Sequence, residues 1–248
     1  IINDILVDDT VGYYTEQDAD PLALQWVCLQ PGGVGNALYR LATAANWNDF
    51  HEALRFWDAP SINFGYADVN GNIGYQLAAK VPLRAREDTG FIPEPGWSEA
   101  HLWKGFLPYD DLPNVLNPER GIIVHTNQAV APREYFDQLA NRLGPDINPY
   151  FQPTAYYGYR AERLDQLLEG KAPYSIDDFA TMQADVKLTS VDEVMPYLQS
   201  LPLQDARLAE LRDWLMAWNR QFDEQSCQAT LYALFWTHLV RNIYKDEA

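Results

Sequence analysis

The stretch SINFGYADVNGNIGY at residues 61–75 decides how the first half of this chain folds. Two runs rich in aromatic and aliphatic residues flank the dipeptide Asn70-Gly71. Asn and Gly both tolerate the positive φ angles of a two-residue turn between antiparallel strands. The stretch therefore predicts a β-hairpin that is closed by a two-residue turn at Asn70-Gly71.

The segments on either side of the hairpin predict further elements. Asn46 is a favourable N-cap for a short amphipathic helix over residues 47–57. Residues 129–157 contain four prolines and predict no regular element. We also predict a buried strand over residues 22–29, a surface loop over 84–108 and a short apolar strand over 121–126.

The hydrophobic period changes to 3.6 residues after residue 158, which is typical of helices. Ser175 and Ser190 each begin a capping-box pattern, and two longer helices are predicted over residues 204–218 and 223–244. The chain thus divides into a β-rich part, residues 1–157, and a helical part, residues 158–248. Because strands and helices do not alternate, we predict an α+β fold in which both parts belong to one truncated domain.

The composition excludes several classes of protein. The 248 residues are 47% hydrophobic and 13% aromatic, which indicates a globular chain. The formal net charge of -17 argues against nucleic acid as a partner, because such binding requires Lys and Arg to neutralise phosphates. Anionic membrane surfaces are disfavoured for the same reason. No apolar run reaches the roughly 18 residues of a transmembrane helix.

A second block, GIIVHTNQ at residues 121–128, carries the chemistry. It predicts a short strand that ends in the side-chain amide of Asn127, which is a suitable donor to a developing oxyanion. The alternative is an asparagine that makes an ordinary turn bond. His125 lies two residues away on the same predicted face, which makes it a candidate general base.

Several motifs together resemble the penicillin acylase (penicillin amidase) family. They are YADVNGNIGY at 66–75, WKGFLP at 103–108, and Asn117-Pro118 followed by GIIV at 121–124 and Asn127. The resemblance covers the chain from about residue 22 to its end. It implies an N-terminal nucleophile hydrolase with an αββα core, which hydrolyses amides through a nucleophile that self-cleavage exposes. The resemblance also implies that the general base is the α-amine of the nucleophile, so we do not expect His125 to be the base.

The resemblance also implies roles for individual residues. Asn127 falls on the oxyanion-hole asparagine, and family members usually carry Asn after it where this chain has Gln128. Arg160 falls on an arginine that helps to order the active site, although on the sequence alone a surface salt bridge is equally plausible. Trp26 and Ile62 fall on residues that line the pocket for the acyl side chain, but both would also pass as core residues.

The nucleophile that the family requires is the first residue of its large chain, and this chain begins with Ile1. We therefore expect the N-terminal segments of the precursor to lie upstream and these 248 residues alone to be inactive. The substrate of the full enzyme would be a small N-acyl compound, and the compartment periplasmic or extracellular. Family members bind calcium, but only Asp137 lies near the corresponding stretch, so we expect no metal or other cofactor here.

One alternative from another class is a noncatalytic binding module that presents its many Trp and Tyr side chains to sugars or peptides. Exposed aromatic residues would favour it, and pocket-facing ones would favour the hydrolase. A glycosidase has no support beyond the 35 acidic residues, which are spread over predicted helix surfaces. Cys28 and Cys227 lie in apolar contexts and are expected to be buried thiols.

Overall fold

The computed structural model describes residues 22–151, 158–170 and 173–245. The chain divides into two compact units, Ile1–Tyr156 and Tyr157–Ala248. The described residues form both α-helices and small antiparallel sheets, which confirms the mixed α and β character predicted from the sequence.

The first unit contains two small antiparallel sheets, which have the strand orders β1-β2-β4 and β3-β5. Its described strands are β1 (Ile62–Ala67), β2 (Ile73–Ala78), β3 (Arg84–Ala85), β4 (Asn114–Leu116) and β5 (Ile147–Asn148). Its described α-helices are α1 (Val34–Thr43), α2 (Trp47–Leu54) and α3 (Arg133–Leu143).

The predicted hairpin is present as β1 and β2, but the two-residue turn was wrong. The last strand pair is Ala67 with Ile73, so the connection runs from Asp68 to Asn72. Asp68 Oδ1 accepts the backbone N–H groups of Asn70 at 2.9 Å and Asn72 at 3.0 Å. Of the turn dipeptide, only Gly71 has a positive φ, at 84°. The carboxylate stabilises this longer turn, which the Asn-Gly pattern alone does not encode.

Helix α2 packs against one face of the three-stranded sheet. Asn46 caps it as predicted, since Asn46 Oδ1 accepts the N–H of Asp49 at 3.0 Å. The helix ends at Leu54, however, and not at residue 57. From the sheet, the fully buried Gln76 places its Oε1 2.8 Å from His51 Nδ1 on the helix. Gln76 Nε2 donates to the Leu77 carbonyl, so both ends of this buried amide are bonded.

The opposite face of the sheet carries the apolar core of the first unit. This core comprises Tyr75, Leu77, Val81, Leu107, Leu112 and Leu139. Tyr75 and Leu77 alternate along β2 with Gly74 and Gln76, which face α2, so β2 is buried on both sides. Leu139 comes from α3, which therefore packs on the side of the sheet away from α2.

Two predictions of strands in this unit were wrong. Residues 22–29 contain a single 3₁₀ turn, Val27–Leu29, in which the Leu29 N–H bonds to the Trp26 carbonyl at 3.1 Å. This local bond replaces a strand ladder, and Leu24 and Leu29 are exposed. Residues 121–126 also form no strand, and β4 joins the sheet in their place.

The prediction of no regular element over residues 129–157 was also wrong where the structure describes it, up to residue 151. Helix α3 lies there and ends at Leu143, followed by the C-cap Gly144, whose φ is 88°. Its buried Phe136 and Leu139 are three residues apart on one face. Residues 84–108, predicted as a loop, contain the two-residue strand β3 and a 3₁₀ turn.

The second unit is mainly helical where the structure describes it. Its α-helices are α4 (Tyr159–Leu167), α5 (Ile176–Gln183), α6 (Ser190–Ser200), α7 (Ala206–Met216) and α8 (Cys227–Tyr244). The capping box at Ser175 is confirmed, with Asp178 as its acidic partner. The one predicted at Ser190 was wrong: Thr189 is the N-cap, and its hydroxyl donates to the Tyr159 carbonyl at 3.2 Å.

The core of the second unit joins α6, α7 and α8. Its buried residues are Val191, Met195, Leu198, Leu215, Trp218, Ala229 and Tyr232. Over the described ranges, no helix combines the length and the hydrophobicity that crossing a membrane requires. Cys28 and Cys227 are both exposed, so the prediction of buried thiols was wrong.

Candidate functional site

The segment that carries Asn127 is an irregular loop held by the side chain of Gln128. Gln128 Oε1 accepts the Thr126 N–H at 2.5 Å and the Thr126 hydroxyl at 3.1 Å. Gln128 Nε2 donates to the Val124 carbonyl at 2.8 Å. These bonds occupy the Thr126 N–H and the Val124 carbonyl, two backbone groups that a strand ladder would use. Asn127 is exposed at the apex of the loop and has a φ of 68°.

Asn117 anchors the start of this loop to the hairpin. Its backbone N–H donates to the Ile73 carbonyl at 2.8 Å, and its Oδ1 accepts the Ile73 N–H at 3.0 Å. Its Nδ2 donates to Asn72 Oδ1 at 2.9 Å. Asn117 has a φ of 49°, a left-handed conformation that asparagine tolerates better than most residues. The hairpin thus fixes the position from which the chain runs towards Asn127.

A cavity of about 300 Å³ lies beside the loop. It is lined mainly by apolar side chains, with His125 and Gln128 as polar members: Tyr75, Val115, Pro118, Ile122, Ile123, Val124, His125, Gln128, Ala129, Val130, Ala131 and Pro132. Asn127 does not itself line the cavity, but Gln128, the next residue, and His125, two residues before it, both do so. Asn127 is therefore flanked in sequence by residues that line the cavity.

Tyr75 lines this cavity from β2. Its hydroxyl donates to Asn63 Oδ1 on β1, and its ring centre is 6.0 Å from that of His125. Burial raises the pKa of the Tyr75 hydroxyl, because the phenolate would lose its hydration there. Tyr75 is consequently a neutral hydrogen-bond donor at physiological pH. It links the sheet to the loop of Asn127.

The two residues predicted to line the acyl pocket lie in different parts of the first unit. Trp26 is the N-cap of the 3₁₀ turn and is 53% exposed, so the interpretation of Trp26 as a core residue was wrong. Ile62 is half-buried at the start of β1, paired with Ala78. By strand alternation it shares the face of Phe64, which contacts α2, and not the face of Tyr75. Their role in binding an acyl group stays a prediction.

Arg160 belongs to the second unit, where it is the second residue of α4 and is exposed. The adjacent Tyr159 fixes the start of this helix, since its hydroxyl donates to Glu193 Oε2 on α6 at 2.6 Å. Gly158 precedes the helix with a φ of 108°, a conformation that favours glycine. The role predicted for Arg160 stays a prediction.

Asp137, the one residue near the calcium-binding stretch of the family, does not lie in a cluster of metal ligands. Its Oδ2 is 3.9 Å from Arg133 Nε, and its Oδ1 accepts the Tyr150 hydroxyl at 3.4 Å. Among the residues that the structure describes, no group of three or more His, Cys, Asp or Glu side chains is arranged to hold a metal ion. The expectation of no metal or other cofactor stays a prediction.

Sequence reasoning missed the roles of Gln128, Asn117 and Tyr75. A signal existed for Asn117, because an asparagine before proline often starts a turn. Gln128 and Tyr75 gave none, since their partners depend on the path of the loop and on the register of the sheet.

Comparison with known proteins gives a consistent result. The penicillin amidase family profile matches residues 1–248. The chain is 33% identical over 207 residues to penicillin acylase 2 proenzyme of Pseudomonas sp. strain SE83, covering 83% of this chain and 25% of that protein. It is 29% identical over 231 residues to the acyl-homoserine lactone acylase QuiP of Pseudomonas syringae, covering 86% of this chain and 26% of that protein.

A solved structure is also similar, the thermostable penicillin G acylase from Alcaligenes faecalis. Its TM-score is 0.57 at 27% identity, and the match covers 76% of this chain and 32% of that one. The chain therefore spans about a quarter of the length of these two Pseudomonas relatives. Both relatives are acylases, which does not favour a noncatalytic binding module. Since the profile matches throughout, the chain belongs to the penicillin amidase family.

Proposed function

We propose that this chain is the part of an amide hydrolase that supplies the oxyanion donor, Asn127, for cleavage of small N-acyl compounds. The observation that carries the proposal is the match of the penicillin amidase profile over residues 1–248. In the proposed full enzyme, which has the αββα core of N-terminal nucleophile hydrolases, the nucleophile comes from polypeptide outside these 248 residues. The chain alone is then inactive.

The proposed reaction is acyl transfer in two stages. A hydroxyl or thiol at a chain N-terminus attacks the amide carbonyl carbon, and its proton passes to the α-amine of the same residue. That amine has an ordinary pKa of about 7.7–8.0, which suits a general base near neutral pH. The carbonyl electrons move to oxygen, and the C–N bond then breaks as the leaving amine takes up the proton. Water hydrolyses the resulting acyl-enzyme.

Asn127 contributes at the tetrahedral stage of this reaction. Asn127 is an exposed residue of the loop, and the N–H groups of a side-chain amide are suitable donors to a negatively charged oxygen. In the same proposal Arg160 orders the hydrogen bonds around the nucleophile, and Trp26 and Ile62 contact the acyl group. The relatives are named for penicillins and for acyl-homoserine lactones, so we propose substrates of these two kinds.

The proposal is tested by comparing two purified proteins, the 248-residue chain and the protein expressed from its complete gene. Both are assayed with a chromogenic phenylacetyl anilide, penicillin G and an N-acyl homoserine lactone. We expect hydrolysis of at least one compound by the complete gene product and none by the chain. Turnover by the chain that depends on Asn127 would contradict its inactivity. A folded complete gene product without activity on N-acyl compounds would overturn the proposal.

A further inference from the structure

We infer that Gln128 is a positioning residue, which holds Asn127 in the conformation that the oxyanion requires. This inference rests on the proposed function of Asn127. Asn127 has a φ of 68°, a left-handed conformation that asparagine tolerates but that competes with conformations of negative φ. The described contacts of Gln128 favour the left-handed conformation.

The side chain of Gln128 braces the loop on the side that precedes Asn127. It bonds to the Thr126 N–H, one residue before Asn127, and to the Val124 carbonyl, three residues before it. Since Gln128 itself follows Asn127, these two bonds close a hydrogen-bonded loop that contains Asn127. A change in the backbone angles of Asn127 would break at least one of them.

The orientation of the Gln128 amide follows from its partners. The Thr126 N–H is a donor and the Val124 carbonyl is an acceptor, so the oxygen must face Thr126 and the nitrogen must face Val124. A glutamate at this position would keep the acceptor for Thr126 but would place a carboxylate oxygen against the Val124 carbonyl. An alanine would remove both bonds.

The length of the side chain also matters. Gln128 reaches a carbonyl four residues back and an amide two residues back with one planar group. An asparagine at this position would be shorter by one methylene and could not span the same distance. Gln128 is half-buried and lines the cavity beside the loop.

The first test is a double-mutant cycle in the complete gene product, with Asn127→Ala, Gln128→Ala and the double variant. We expect Asn127→Ala to lower kcat by about 10²–10³. We expect Gln128→Ala and Gln128→Glu to lower kcat by about 10–100-fold with little change in KM, because a misplaced donor weakens only the transition state. In the Asn127→Ala background, Gln128→Ala should have no further effect, because it acts through Asn127.

The second test uses the 248-residue chain and needs no activity. Amide hydrogen exchange measured by NMR should be about tenfold faster at Thr126 in Gln128→Ala, the change expected for losing one net hydrogen bond. The matched control is Gln138→Ala, because Gln138 is an exposed residue of α3. It should change neither the exchange at Thr126 nor kcat in the complete gene product. Active-site titration of each complete gene product gives the concentration of functional enzyme, so that a loss of folded protein is not mistaken for a lower kcat.

The outcomes separate this inference from the proposed function. If Asn127→Ala leaves kcat unchanged, the proposed role of Asn127 fails. If Asn127→Ala lowers kcat but Gln128→Ala does not, or if the two effects multiply in the double variant, the inference about Gln128 is overturned. Unchanged exchange at Thr126 in Gln128→Ala would also overturn it.

Discussion

At the scale of single residues, the contact between Gly74 and Trp47 shows how tightly the sheet and α2 fit. A Cβ added at Gly74 would lie 2.3 Å from Cζ3 of the Trp47 ring and 2.7 Å from its Cε3. The ring is also in contact with Phe50 and Tyr66, at centroid distances of 5.7 Å and 5.5 Å. Trp47 therefore cannot move aside without disturbing its neighbours.

We predict that Gly74→Ala lowers the free energy of unfolding by about 1–3 kcal/mol, as overpacking does in other cores. Urea unfolding followed by circular dichroism measures the change. Gly65→Ala is the matched control, because Gly65 is an exposed residue of β1 with open space around its Cβ position. Equal stability of the Gly74 and Gly65 variants would show that the described contact with Trp47 is wrong.

Asn127 illustrates what the sequence can reveal at this scale. Its identity as a candidate donor follows from a motif that is read directly along the chain. The bracing by Gln128 does not, because bonds to residues two and four positions back depend on the loop path. No periodic pattern encodes that path.

At the scale of elements, two local capping signals predicted correctly. Asn46 and Ser175 cap helices because each bonds to a backbone N–H three residues ahead, which the sequence alone specifies. The strands predicted over residues 22–29 and 121–126 were wrong because a strand needs a partner, and a run of apolar residues does not identify one. Helix α3 was missed because prolines around it suggested a loop, although Phe136, Leu139 and Leu143 follow helical spacing.

The hairpin turn gives a prediction about an element. Gly71 has a φ of 84° and open space around its Cβ position, so any cost of a side chain there comes from the backbone alone. We predict that Gly71→Ala lowers the free energy of unfolding by about 1 kcal/mol. Gly71→Asn should cost less, because asparagine tolerates the left-handed region. Urea unfolding of both variants checks this, and a loss for Asn as large as that for Ala would contradict it.

The ion pair between Arg163 of α4 and Asp185, which follows α5, predicts a dependence on pH. Arg163 Nη2 and Nε donate to the two carboxylate oxygens at 2.7 and 2.9 Å. These bonds hold the pKa of the Asp185 carboxyl below its usual value. The Asp185 carboxyl thus binds a proton less readily in the folded state than in the unfolded chain. The ion pair therefore stabilises the fold fully above about pH 4–5. This stabilisation is lost as the pH falls through the pKa of Asp185 in the folded state.

We therefore predict that Asp185→Asn lowers the free energy of unfolding by about 1–2 kcal/mol at pH 7. The difference from the unmodified chain should shrink as the pH is lowered from about 5 towards about 2. Urea unfolding at a series of pH values measures it. Glu210→Gln, at an exposed position of α7, serves as the control and should show little difference at any pH. If the difference in unfolding free energy between Asp185→Asn and the unmodified chain instead grows as the pH falls, the predicted pH dependence is wrong.

At the scale of the whole molecule, family membership is the property that the sequence made accessible. The penicillin amidase profile extends through both compact units, and the motifs quoted from the sequence lie within the first. The net charge of -17 only argued against partners, namely nucleic acid and anionic membrane surfaces. Substrate choice was not predictable, because the resemblance assigned only Trp26 and Ile62 to the acyl pocket, and that assignment stays a prediction.

The central claim is that the side-chain amide of Asn127 stabilises the oxyanion during amide hydrolysis. The most direct measurement is kcat for Asn127→Ala and for Asn141→Ala in the protein expressed from the complete gene. Asn141 is an exposed asparagine of α3 in the same unit and controls for the loss of an amide as such. We predict a kcat about 10²–10³ lower for Asn127→Ala, with KM little changed, and an unchanged kcat for Asn141→Ala. Equal values of kcat for the two variants would contradict the claim.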